Sequence, residues 1–174
     1  PACSAPLSRM GETLVQQAFR TFAGFLAVGN ERISLPGGTA LRNRALPRIR
    51  DANHVTLVQA AGPQAPAALV EAAEAAYAGM PNCCFYVHSG EAVEVEAQLL
   101  MRGYRFATFM SMLLEGELVC APPRQQTRRI ETDADWAEYE RLVAQNWREG
   151  LERTGHHYDP TIVAEVMTQA HLKA

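Results

Sequence analysis

Along this chain, segments with helical hydrophobic spacing alternate with short apolar segments, and glycine or proline stands at nearly every join. Residues 7–28 repeat apolar side chains at Leu7, Met10, Leu14, Ala18, Phe22 and Phe25, the three-and-four spacing of one helical face. Val15, Phe19 and Leu26 widen that stripe, which predicts a helix packed on a sheet. Gly29-Asn30 stops it, because both residues tolerate a left-handed backbone. Residues 32–35 read as a short strand before the turn Pro36-Gly37-Gly38, residues 39–53 as irregular chain, and residues 55–58 as a compact strand. Pro63 and Pro66 open an alanine-rich helix over residues 67–78. Residues 83–87 form an apolar run bounded by turn residues, as a buried strand does. Ser89 is a good N-cap for a helix ending at Met101, with Gly103 closing it, and residues 104–114 predict a long strand. Helix, strand, strand, helix, strand, helix, strand is the order of helices covering a central sheet, an α/β (α+β) fold.

The texture changes after Glu115. Ala121-Pro122-Pro123-Arg124-Gln125-Gln126 reads as an exposed linker. Residues 129–131 could start a strand, and Asp133 caps a helix over residues 136–148 with Trp136, Tyr139, Leu142, Val143 and Trp147 at helical spacing. Pro160 begins a last helix carrying Ile162, Val163, Val166 and Met167. The expected organisation is a first domain over residues 1–117, a linker over 118–127 and an incomplete second α/β unit over 128–174. Two helices and one strand seldom stand alone. The second piece is therefore expected to continue in further chain, or to dock on the first domain or a partner.

With 48% hydrophobic and 20% charged residues, the 174-residue chain has the makings of a core rather than of disorder. Its net charge of −3 argues against affinity built on phosphate neutralisation, so nucleic acid is not an expected partner. Positive charge is almost all arginine, clustered from Arg32 to Arg50, and Lys173 is the only lysine. No aromatic residue interleaves with those arginines, so bases would find no stacking platform; the cluster reads as a solvated, salt-bridged surface. No apolar run is long enough to cross a bilayer and the start lacks the order of a secretion signal, which predicts a cytoplasmic protein with no membrane partner. Cys3, Cys83, Cys84 and Cys120 show no paired spacing for zinc or redox chemistry, so free thiols and no metal are expected.

A family resemblance rests on particular residues. Ser89-Gly90-Glu91-Ala92, then Leu99-Leu100-Met101-Arg102-Gly103-Tyr104-Arg105 and the strand after it, resemble the closing part of a GNAT (Gcn5-related) N-acetyltransferase domain. Leu35-Pro36-Gly37-Gly38, through Ala45-Leu46-Pro47 to Asn53, is similar to the degenerate N-terminal half of tandem GNAT proteins, and residues 128–141 resemble the first strand and helix of a second such domain. The resemblance implies a mixed, mainly antiparallel central sheet flanked by helices, acetyl-CoA as co-substrate, and an unknown small-molecule or peptide amine as acceptor. It also implies a pyrophosphate loop, Arg/Gln-x-x-Gly-x-Gly/Ala, between a strand and a helix, where backbone N–H groups approach phosphate at a helix N-terminus. This chain departs there. Gln59-Ala60-Ala61-Gly62-Pro63-Gln64 puts proline after the glycine and so removes a donor, while Val87-His88-Ser89-Gly90-Glu91-Ala92 sets an anion where phosphate would sit. The family's frequent general-acid tyrosine, four residues before the closing glycine, corresponds to Leu99, which has no proton to give. The resemblance thus implies a non-catalytic half that binds no cofactor alone.

Further candidates divide into a sharper and a plainer reading. His156-His157-Tyr158-Asp159 could be a metal or general-base cluster, but adjacent histidines diverge and no second ligand pair stands at a recognised spacing, so a polar inter-helix loop is expected. The resemblance makes Trp147, Glu149, His157 and Tyr158 candidates for lining an acceptor groove. Trp136 and Trp147 otherwise read as core or interface anchors, His54 and His88 as satisfied structural histidines, and Glu91, Glu94 and Glu96 as a solvated helix face. An unfinished second unit would expose apolar helix faces, which favours a homodimer.

Overall fold

Pro36-Gly37 forms the tight turn from which the sheet grows. Proline holds φ near its fixed negative value and Gly37 has φ of 85°, the combination a type II turn requires. It joins β1 (Glu31–Leu35) to β2 (Gly38–Arg42) as an antiparallel pair, with Leu35 opposite Gly38 and Glu31 opposite Arg42. The last pair is ionic, Arg42 Nε donating to Glu31 at 3.0 Å. The other face of Arg42 donates to the carbonyl of Ala76 at 2.8 Å. Residues expected as irregular chain therefore include the central strand. Gly38 and Ala40 carry little strand signal of their own, and β2 exists because it is paired on both sides. Its second partner is β3 (His54–Thr56), with Ala40 opposite Val55 and Leu41 opposite His54.

The computed structural model describes residues 7–59, 62–88, 92–108, 128–155 and 157–174, with backbone alone over residues 7–15. Beyond β3 the chain forms α2 (Ala65–Ala76) and returns alongside β3, where Val55 and Phe85 make a parallel bridge. Val55 N donates to Cys84 O, and Tyr86 N to Val55 O, both at 2.8 Å. The expected strand over residues 83–87 is thus reduced to one bridge. Among the described residues the result is a mixed α+β architecture: a three-stranded antiparallel sheet in the order β1-β2-β3, one parallel rung, and five α-helices.

The first helix, α1 (Leu7–Leu26), buries Ala23, Leu26 and neighbouring Ala27, while Phe22 and Phe25 lie 49% and 53% exposed. Over residues 16–27 the packed edge is Ala23, Leu26 and Ala27, not the Phe22 and Phe25 side read from periodicity. Two alanines let the backbone come close, and Leu26, Ala27 and Leu41 join with Tyr86 against them. Leu69, Val70 and Ala73 of α2 and Val95 and Leu99 of α3 (Val93–Met101) are buried. Arg102 ties the two helices together through Glu71 and Glu74. The helix α3 starts after Ala92, with no side-chain cap; the expected cap, Ser89, lies outside the described residues. So do residues 109–127, which hold most of the expected closing strand and the linker, while residues 104–108 and 128–131 have no regular structure.

The chain divides into two compact units, residues 1–103 with 159–174 and residues 104–158. The first therefore includes α5 (Pro160–Lys173), capped by Asp159, whose carboxylate accepts from Thr161 N at 2.9 Å. Ile162 and Val166 of α5 pack on Leu46, Ile49 and Ala52. Arg48 fastens the same helix, reaching Asp159 at 2.7 Å and Glu165 at 2.5 Å. In the second unit α4 (Asp133–Arg153) begins with a reciprocal cap: Thr132 Oγ1 accepts from Asp135 N at 3.2 Å, and Asp135 Oδ2 accepts from Thr132 N at 3.0 Å. The cap is Thr132 rather than the expected Asp133. No residue of α4 is buried, so Trp136 and Trp147 are half-covered side chains and not core anchors.

Candidate functional site

The β3–α2 connection is where the family resemblance would put a phosphate loop. Leu57 adopts φ of 53°, unusual for a leucine, immediately after β3. Gln59 N then donates to Gly37 O at 2.8 Å, tying the connection to the hairpin turn. Gly62 has φ of 97°, and α2 begins at Ala65 without a side-chain cap. A helix N-terminus grips anions through its unpaired N–H groups. Here Pro63 and Pro66 have none, and Ala65 N already donates to Gly62 O at 3.2 Å. The connection has the position of an anion cradle with several of its donors missing. At α3, Glu94 and Glu96 stand in the first turn and would repel an anion. Leu99 is 3% exposed and serves as core.

A second cluster, in the same unit, holds polar groups that no helix cap or sheet ladder needs. His54 is fully buried on β3. Its Nδ1 lies 3.2 Å from the carbonyl oxygen of Arg50, which can only accept, so Nδ1 carries the proton. Its Nε2 is then a bare lone pair, buried and without a hydrogen-bond partner among the described residues. Tyr86 stacks on the imidazole with ring centroids 4.2 Å apart and donates its hydroxyl to Asp51 Oδ1 at 2.7 Å. Burial lowers the imidazole pKa to about 4, with Lys173 adding to the effect and the Arg50 carbonyl opposing it. The ring is thus neutral at pH 7 and acts as an acceptor, not as a cation. Burial likewise raises the Tyr86 phenol, which stays protonated, and lowers the Lys173 ammonium, offset by Asp51. Lys173 Nζ sits 4.5 Å from the ring centroid of Phe25.

His88, two residues beyond Tyr86, has a buried Nδ1 without a partner and sets its ring edge-on to Phe19 at 6.1 Å. Among the described residues one nitrogen of His54 is satisfied, while its Nε2 and Nδ1 of His88 meet no hydrogen-bond partner. Sequence reading named His54 but missed Asp51, Tyr86 and Lys173. Nothing local joins Tyr86 to Asp51, whose separation of 35 residues only the fold closes. Cys83 and Cys84 are half-buried, and burial raises the Cys84 thiol.

The four acceptor-groove candidates all lie in the second unit. Trp147 and Glu149 are on α4 two residues apart, so their side chains leave the helix in widely different directions. Glu149 accepts from Gln145 at 2.8 Å. Tyr158 lies under the guanidinium of Arg148, 5.2 Å from its ring centroid, and His157 is exposed beside it. His156 lies outside the described residues. Among the described residues no three His, Cys, Asp or Glu side chains gather as a metal ion would need, and no helix is long and apolar enough to cross a membrane. Comparison with protein-family models, curated proteins and solved structures finds no match to this chain.

Proposed function

We propose that this chain carries the non-catalytic half of a GNAT-type, acetyl-CoA-dependent N-acetyltransferase. One observation supports the reading most: after three antiparallel strands, β3 leads through a loop and α2 to a segment that runs parallel beside β3 at Phe85. That is a mixed, mainly antiparallel sheet with a strand–loop–helix step where the resemblance expects the cofactor grip. The same loop explains why this half would be inactive, because Pro63, Pro66 and the engaged Ala65 N–H leave too few donors for a pyrophosphate. Chemistry in such an enzyme is direct attack of an acceptor amine on the thioester, helped by positioning and a backbone N–H at the developing oxyanion. In a complete enzyme the acceptor would meet Trp147, Glu149, His157 or Tyr158.

Calorimetric titration with acetyl-CoA tests this. The expected result is no saturable heat, a Kd weaker than about 1 mM. Micromolar binding by these 174 residues would overturn the assignment of a non-binding half.

A second reading, a fold of this type kept as a dimerisation module, is favoured by α3. Its Val93, Leu100 and Met101 are 59%, 60% and 70% exposed and fall on one helical side. Light scattering separates the two readings: a concentration-independent dimer supports the module, a monomer removes it.

A further inference from the structure

The helix α1 carries more apolar surface than its own unit covers. Phe22 and Phe25 are 49% and 53% exposed, and Val28 just past the helix end is 44% exposed. Leu172, 45% exposed, lies against Gly29 beside them, and Lys173 Nζ sits over the Phe25 ring at 4.5 Å. An α-helix turns about 100° per residue, which puts Gly11, Leu14, Phe22 and Phe25 within about 40° of Ala18, on one line along α1. The buried Ala23 and Leu26 stand about 80–140° around the helix from that line. Arg9, Glu12 and Arg20, the charged residues of α1, stand about 120° or more from it. The line therefore takes no charge from its own helix, and the core packs on a different side.

We propose that this line is the interface of a homodimer, in which α1 packs antiparallel on α1 of a second copy about a two-fold axis at Ala18.

The order of side-chain sizes supports a second copy as the occupant. A two-fold interface is self-complementary: where one residue meets another of the partner, the reverse contact is made too. With Ala18 on the axis, positions equally far before and after it meet. Gly11 then meets Phe25 of the partner subunit, Leu14 meets Phe22 of the partner subunit, and Ala18 meets its own counterpart. Each phenyl ring falls opposite a smaller residue, and the smallest side-chain pair stands on the axis, so the helices can approach at the usual 8–10 Å. Sliding by one turn to put Phe22 on the axis would set ring against ring there.

Charge and area agree. A buried charge needs a partner, and a line without charge fits a surface that is equally neutral, which a second copy of itself is. Phe22, Phe25, Val28 and Leu172 leave roughly 300–400 Å² of apolar side chain per copy, as large as the largest patch a monomer commonly shows. Two copies hide roughly 700 Å² of it, and the helix surface between these side chains brings the total to about 1,200 Å², the low end of stable interfaces. Such a dimer dissociates in the micromolar range. This interface is separate from the exposed side of α3, and it stands whether or not the chain is half of an acetyltransferase.

Sedimentation of the full chain over roughly 1–200 µM measures the association, and cross-linking locates the contact. The parent chain should pass from monomer to dimer with a midpoint of about 10 µM. Phe25→Glu, at an exposed position, should raise that midpoint about tenfold or more without lowering the thermal midpoint. Ala18→Cys should give a covalent dimer with diamide, joined through position 18 of both copies in the linked peptides read by mass spectrometry. Arg20→Cys should link about tenfold more slowly, since its position points away from the axis. Should Phe25→Glu not fold, the comparison of positions 18 and 20 decides alone. A parent chain that stays a monomer throughout would overturn the proposal, whether other chain, a lipid surface or water then covers the face. So would equal linking at positions 18 and 20. A dimer that survives Phe25→Glu and is lost in Leu100→Glu would overturn it as well, by placing the contact on α3.

Discussion

Asn53 bonds three backbone groups from inside the core. Its Nδ2 donates to Leu46 O at 2.6 Å and Ile49 O at 3.0 Å, and its Oδ1 accepts from Asn43 N at 2.8 Å. The chain between β2 and β3 has no ladder of its own, so one amide side chain does the work a strand would do. Asn53→Ala strands the Asn43 N–H and takes one donor from the Leu46 and Ile49 carbonyls, which still accept from Ile49 N and Ala52 N; one unsatisfied buried group costs about 1–3 kcal/mol. A loss of about 2 kcal/mol is expected from urea unfolding of the full chain. Asn53→Asp should be no better, because a carboxylate cannot donate to either carbonyl. A change below about 1 kcal/mol in both variants would show that the loop stands without its brace. From sequence, Asn53 is only turn punctuation; its role depends on being fully buried, which no local pattern announces.

At the scale of elements, α4 shows how a start signal is read and misread. Thr132-Asp133-Ala134-Asp135 offers three residues able to cap, and only the one whose carboxylate partner stands three positions on closes the reciprocal pair. Thr132 supplies the largest part of the shift that keeps Asp135 ionised below its ordinary range, followed by the Glu131 and Thr132 amides. Thr132→Ala should therefore lower protection of the first-turn amides of α4 by about fivefold, equivalent to about 1 kcal/mol, and leave α2 unchanged. Equal protection in variant and parent would mean that water replaces the cap without loss. Elements with strong local signals were legible: α1, α2, α4 and α5 all lie within a few residues of where periodicity and caps put them. Of these, Pro160 was the cleanest start, a preorganised first position that Asp159 caps in the fold. The strand β2 was not legible, since Gly38 and Ala40 are poor strand formers and the segment is held by two neighbours.

For the whole molecule, the decisive event is the return of the chain. Arg48 bonds Glu165 across 117 positions, and α5 completes a core begun by Leu46 and Ile49. Removing residues 159–174 should thus destabilise the first unit, leaving Leu46 and Ile49 in water and Arg48 without carboxylates. A thermal midpoint lower by about 5 °C or more is expected for the chain ending at Tyr158. An unshifted midpoint would make α5 a passenger. Of the candidate site, the proline-blocked loop at Gly62-Pro63 could be named from residue types alone, because it departs from the glycine pattern of a phosphate loop. The surroundings of His54 could not, because they join the turn at Arg50–Ala52 to the segment beside β3.

Alternating punctuated segments by themselves determined that this chain makes helices and short strands, and which residues stop them, because hydrophobic period and turn chemistry act within a few residues. Tertiary structure decided which edge of α1 is buried, that residues 38–42 form the middle strand, and that α5 belongs with the first unit. Those outcomes turn on pairing and burial between residues far apart in the chain. Their free energy exists only once the partners meet, so no window of sequence contains it.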